Sequence, residues 1–168
     1  MKTLLKLLLA SSAALSFVVH ADGKLNSYVS MNIDAPASNV WDIVKDFGGL
    51  HNWHPMFSND VIKSGTNNQI GAVRTLTVKD GPSFDEQLMV WDDYGRTYTY
   101  RVIDPNPLPI KNYSSTMKVI QLMPGVTNVT WSSSYENNSG GEMSDDEVIA
   151  FLNGAYRTGL EALKFELQ

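Results

Sequence analysis

Three groups of residues in this chain have the chemistry to bind or to react. The first is the histidine pair of His51-Asn52-Trp53-His54, two of the chain's three histidines. Two imidazoles three residues apart can share a metal or move a proton near neutral pH. Cysteine is absent and no third ligand stands at a recognisable spacing, so a metal centre has little to build on. No G-x-S-x-G turn marks a serine nucleophile for either ring. The other reading is a corner packed at the mouth of a sheet, anchored by Trp53 and Phe57, with partly solvated His rings. The roles of His51 and His54 stay open at this level.

The second group is a pair of opposite charges, Arg74 and Glu86. Each shares the apolar parity of its segment: Arg74 with Ala72, Leu76 and Val78, Glu86 with Leu88 and Val90. Charges on an inward face are rare unless paired. A turn centred near Asp80-Gly81 sets Leu76 opposite Glu86 and makes Arg74 and Glu86 diagonal neighbours. They form either a structural ion pair or the polar end of a ligand site.

The third group is aromatic. Period-two reading puts Tyr98, Tyr100 and Val102 on one face of a segment, and Tyr113, Ser115, Met117 and Val119 on one face of the next. A last segment contributes Val129, Trp131, Ser133 and Tyr135. Aliphatic side chains would fill an ordinary core, whereas buried Tyr and Trp need polar partners. Walls of this kind fit a cavity for water or a ligand, or else the tyrosines sit at wet ends of the sheet. The candidate ligand-binding set is therefore Trp53, Arg74, Glu86, Tyr98, Tyr100, Tyr113, Met117, Trp131 and Tyr135. No catalytic residue stands out.

These residues need a scaffold. Leu25–Ile33 alternates weakly and reads as a strand. Asp34-Ala35-Pro36 opens a helix, Ala37, Val40, Val44 and Phe47 recur at helical spacing, and Gly48-Gly49 ends it. From Val61 to Tyr135 the signals are strands and turns, with Asp80-Gly81 and Pro124-Gly125 at hairpins. Pro105, Pro107 and Pro109 mark a loop. Ser144-Asp145-Asp146-Glu147 is a capping box that starts a long final helix, with Val148, Phe151, Leu152, Ala155, Gly159, Ala162 and Leu163 as its apolar stripe. An antiparallel sheet with that helix across its concave face is the natural packing.

Met1 to Ala21 has the three parts of a cleavable signal peptide: Lys2 and Lys6, the apolar run Leu7–Val19, and small residues at Val19 and Ala21. The apolar run is too short to span a bilayer. Residues 22–168 then form a single domain, exported and periplasmic in a two-membraned bacterium. Without Lys2 and Lys6 the balance is 11 basic against 18 acidic residues, a net −7. That charge disfavours nucleic acid. A composition 43% hydrophobic and 18% charged excludes disorder. No cofactor and no metal is implied.

Pro36-Ala37-Ser38-Asn39-Val40-Trp41-Asp42-Ile43-Val44-Lys45-Asp46-Phe47-Gly48-Gly49-Leu50-His51-Asn52-Trp53-His54-Pro55 resembles the first-helix signature of the START-like (SRPBCC) superfamily, most closely its polyketide cyclase/dehydrase branch. Ile70–Arg74, Asp80-Gly81, Glu86–Leu88, Tyr98–Tyr100 and Val129–Trp131 continue the pattern in order. The resemblance implies an α+β helix-grip fold: a curved seven-stranded antiparallel sheet around a long C-terminal helix, enclosing an apolar cavity. It implies no single activity, since such families include cyclases, lipid carriers, receptors and periplasmic accessory proteins. The expectation is an exported carrier of a small apolar, aromatic or lipid-like molecule. The alternatives are a polyketide cyclase or dehydratase, and an accessory protein docking on a periplasmic protein partner.

Overall fold

A computed structural model describes residues 24–168. The expected signal peptide at residues 1–21 lies outside the described residues. Strand β1 (Leu25–Ile33) leads into helix α1 (Ala37–Val44) and a 3-10 helix, Phe47–Asn52. Six strands follow: β2 (Phe57–Ser64), β3 (Val73–Val78), β4 (Ser83–Asp92), β5 (Thr97–Val102), β6 (Ile110–Met123) and β7 (Val126–Asn137). Helix α2 (Asp145–Leu167) closes the chain. All neighbours in the sheet are antiparallel, in the order β1-β7-β6-β5-β4-β3-β2. The architecture is the helix-grip, with α2 against β1 and β7.

The turns follow from local backbone chemistry. Asp80 takes a φ of 57° in the β3–β4 connection, and Val78 donates to the Pro82 carbonyl across it. Thr77 therefore faces Ser83, and Arg74 faces Glu86 directly. This corrects the expected register by two residues: the turn is centred one residue earlier, and Leu76 faces Phe84. A two-residue slip keeps every side chain on its face, so the inward parity of both charges survives. Gly125, with a φ of 76°, lets Met123 and Val126 close the β6–β7 hairpin.

The helices begin differently from each other. Helix α2 has the expected capping box: Ser144 Oγ accepts from the Glu147 amide, and Glu147 Oε2 accepts from the Ser144 amide. Helix α1 has no side-chain cap of its own, and Asp34 does not supply one. Its first amide, Ala37 N, donates instead to Oε1 of Gln121 on β6, 2.7 Å away. The helix also ends at Val44, before the glycines, and the chain continues through the 3-10 turn.

The core lies between the concave sheet face and α2. Its helix side consists of Val148, Leu152, Tyr156, Gly159, Leu160 and Leu163. The stripe expected from sequence is rotated from this, because Phe151 is exposed and Ala155 and Ala162 are only half buried. The inward parity of β5, β6 and β7 holds throughout, and every Tyr, Trp and Ser assigned inward is buried.

Candidate functional site

A small cavity of about 70 Å³ opens between α2, the 104–109 loop and the hairpin end of β3 and β4. Phe57, Val78, Phe84, Leu108 and Phe151 are among its apolar walls. Glu86, Tyr100, Tyr113, Trp131, Tyr156 and His54 also line it, and the surface exposed to the space is almost wholly apolar. Of the nine residues singled out in the sequence, Glu86, Tyr100, Tyr113 and Trp131 line this space.

The other five lie elsewhere in the core. Arg74 sits behind Glu86. Tyr98 packs among Trp41, Phe47, Trp91 and Tyr100. Met117 pairs with Tyr98 on one side and Trp131 on the other. Tyr135 hydrogen-bonds Ser27 at 2.7 Å. Trp53 is buried 6.0 Å from Trp131, and its Nε1 has no partner among the described residues.

Arg74 is the centre of a buried ionic cluster. Its Nε and Nη2 donate to Glu86 Oε2 at 2.8 and 2.6 Å. Its Nη1 reaches the Phe47 carbonyl and Asp60 Oδ2, the latter at 3.4 Å. Asp60 is the one fully buried residue of β2, a strand whose sequence has no clean alternation to reveal it. Its Oδ2 also accepts from the Leu50 amide at 3.0 Å. Burial raises the proton affinity of Asp60 and Glu86, and the Arg74 charge offsets only part of that. Burial works against the charge on Arg74 itself, but the two carboxylates outweigh it and hold its pKa above the ordinary value.

Two hydrogen-bond chains run along the cavity wall. Tyr113 and Tyr156 hydroxyls lie 2.6 Å apart, and Tyr156 donates to Ser133 Oγ at 2.7 Å. Trp131 Nε1 donates to both Tyr100 OH and Ser115 Oγ at 3.0 Å. Trp131 and Tyr156 stack at 4.7 Å with planes 9° apart, which fastens α2 to β7. Tyr156 escaped the sequence reading because its hydroxyl masks its place at helical spacing from Leu152 and Leu160. Burial raises the Tyr156 pKa to about 12, and pushes those of Tyr98, Tyr100 and Tyr113 up as well. None of these phenols is poised to ionise near neutral pH.

His54 is buried, not partly solvated as expected. Its Nε2 donates to the Ala155 carbonyl of α2 at 3.1 Å, and its Nδ1 accepts from the Met56 amide at 3.3 Å. These partners assign the neutral tautomer with the proton on Nε2. Burial lowers its pKa to about 4. Gly159 makes room for the ring, since a Cβ there would fall 2.3 Å from His54 Cδ2. Among the described residues no three His, Asp or Glu side chains gather as a metal site.

Residues 24–168 match the model of the family described as polyketide cyclase / dehydrase and lipid transport. The chain belongs to this family. Among solved structures, this family member is similar to a Bacillus thuringiensis protein, with 30% identity and a TM-score of 0.76 over 85% of this chain and 98% of the other. It is similar to the protein XoxI from Bacillus cereus at 31% identity, TM-score 0.76, over 84% and 94% of the two chains. A Thermobifida fusca protein matches at 26% identity and a TM-score of 0.73, over 83% and 90%. Among the described residues no helix is long and apolar enough to cross a membrane.

Proposed function

We propose that this polyketide cyclase/dehydrase family member binds a small apolar molecule, or one end of a longer one, under α2 and releases it unchanged. The observation that carries this reading is the cavity: a small, almost wholly apolar space between α2 and the sheet, with Glu86, Tyr100, Tyr113 and Trp131 among its lining residues. Its volume is about half the roughly 150 Å³ of an apolar cavity that takes up benzene. The enclosed part therefore admits a terminal group, and the rest of the ligand lies in the mouth against Phe57, Val78, Leu108 and Phe151.

The polar residues support holding rather than reacting. Both nitrogens of His54 are occupied, and the phenols keep their protons. The test is titration with N-phenyl-1-naphthylamine, a neutral dye that brightens in apolar surroundings. Saturable binding of one dye per chain, lost in Ala155→Phe, is expected; unsaturable binding, or equal binding by both proteins, argues against the reading.

A second reading, a cyclase or dehydratase, has one observation in its favour. Glu86 is a buried carboxyl of raised pKa on the cavity wall, the kind of group that moves protons. Its measure is Glu86-dependent deuterium exchange at the central carbon of a 1,3-diketone. A third, an accessory role on a periplasmic protein partner, would show as co-purification from the cell envelope.

Export belongs to the same proposal. Lys2, Lys6, the apolar run Leu7–Val19 and Ala21 support cleavage after residue 21. Cell fractionation with N-terminal sequencing checks it: a periplasmic chain beginning at Asp22 is expected, and an intact cytoplasmic chain contradicts it.

A further inference from the structure

Most polar side-chain atoms of the cavity-lining residues have hydrogen-bond partners within the protein. His54 uses both ring nitrogens. The Tyr156 hydroxyl donates to Ser133, so its oxygen accepts from Tyr113, and both of those hydrogens are placed. Trp131 Nε1 is shared between Tyr100 and Ser115. Two groups are left over.

One is Glu86 Oε1. An arginine–carboxylate pair usually engages both oxygens, but here Nε and Nη2 of Arg74 converge on Oε2 alone. Among the described residues nothing donates to Oε1, although the residue is only 4% exposed and lines the cavity. The other is the hydroxyl hydrogen of Tyr100. Its oxygen accepts from Trp131, and no described residue offers the hydrogen an acceptor. Tyr100 is 2% exposed and lines the same cavity. Leu88 faces Tyr100 across the β4–β5 ladder, so Glu86 and Tyr100 are diagonal neighbours on the inward face. An acceptor and a donor without protein partners thus belong to two residues at neighbouring positions on the lining of one apolar space.

We infer that the cavity selects an apolar alcohol or phenol, whose hydroxyl donates to Glu86 Oε1 and accepts from Tyr100. This rests on the ligand-binding reading above and names the polar group of its ligand. A hydroxyl satisfies both groups at once and carries no charge to desolvate. A carboxylate would set its oxygens against Glu86. An ammonium could satisfy Glu86 but would turn hydrogens toward the Tyr100 donor. An ether or halide accepts and leaves Glu86 unmet.

The test displaces N-phenyl-1-naphthylamine from the whole protein with 1-octanol or with 1-chlorooctane, whose terminal atom is similar in size but does not donate. The measured quantity is the ratio of the two displacement constants, compared between the native chain and Tyr100→Phe. About a tenfold fall in the preference for octanol over chlorooctane is expected in Tyr100→Phe. Glu86→Gln, where it folds, is expected to lower the same preference. If native protein and Tyr100→Phe share one ratio, the hydroxyl assignment is overturned while ligand binding stands. If neither compound displaces dye from the native protein, the ligand-binding reading falls and takes the assignment with it.

Discussion

Arg74 brings a full charge into a setting where 1% of it meets solvent, and oxygen acceptors surround it there. Phe47 and Tyr100 add ring faces 4.2 and 5.3 Å from the guanidinium carbon. Removing such a centre leaves two buried carboxylates without their cation. Arg74→Met should cost about 3–5 kcal/mol, read from urea denaturation. Asp60 makes the sequel informative. Arg74→Met with Glu86→Leu still leaves Asp60 buried and unpaired, so only the triple variant including Asp60→Asn should regain most of the loss. A double variant as stable as the triple would show that Asp60 does not share the charge. His54 gives the pH prediction. Its folded pKa is about 4 against an ordinary 6.5. The unfolded chain therefore binds the extra proton first, and stability from this group is present above pH 6.5 and lost as pH falls toward 4. The difference in unfolding free energy between native protein and His54→Gln should shrink by a few kcal/mol, on the order of 3, across that window. Asp60 and Glu86, with raised values, act in the opposite direction, so the comparison with the variant isolates the imidazole.

Helix α2 carries two glycines with opposite surroundings. At Gly154 an added Cβ meets nothing within 4 Å, whereas at Gly159 it meets the His54 ring. Glycine inside a helix is normally worse than alanine by up to about 1 kcal/mol. Gly154→Ala should therefore raise the melting temperature and Gly159→Ala should lower it. His54→Ala should reverse the sign at Gly159, and thermal melts of the native protein, the three single variants and the His54→Ala/Gly159→Ala double variant check all of this. The same elements show what a sequence discloses. On β5, β6 and β7 alternation is strict, so the inward Tyr, Trp and Ser residues were readable without coordinates. The Arg74–Glu86 partnership was readable too, although its register depended on the backbone of one residue, Asp80. Asp60 was hidden because β2 buries a single residue and has no period. The burial of Tyr156 and of His54 was hidden because it is set by tertiary partners, Trp131 and Gly159, which lie far away in sequence.

At the scale of the whole molecule, the sheet and α2 grip a small space with an almost wholly apolar lining. Ala155 stands at its mouth, half buried, so a larger side chain there fills the opening without entering the core. Ala155→Phe should keep the melting temperature within a few degrees and abolish dye binding. A competing surface exists: Ile120, Leu122 and Met123 expose apolar side chains near the β6–β7 turn. Methyl NMR of the native protein titrated with 1-octanol separates the two places in one measurement. The account predicts saturable shifts at the methyls of Leu50, Val78, Val102, Leu108, Ile110 and Leu152, with those of Ile120, Leu122 and Met123 unmoved. Shifts confined to Ile120, Leu122 and Met123, or none at the cavity methyls, would contradict it.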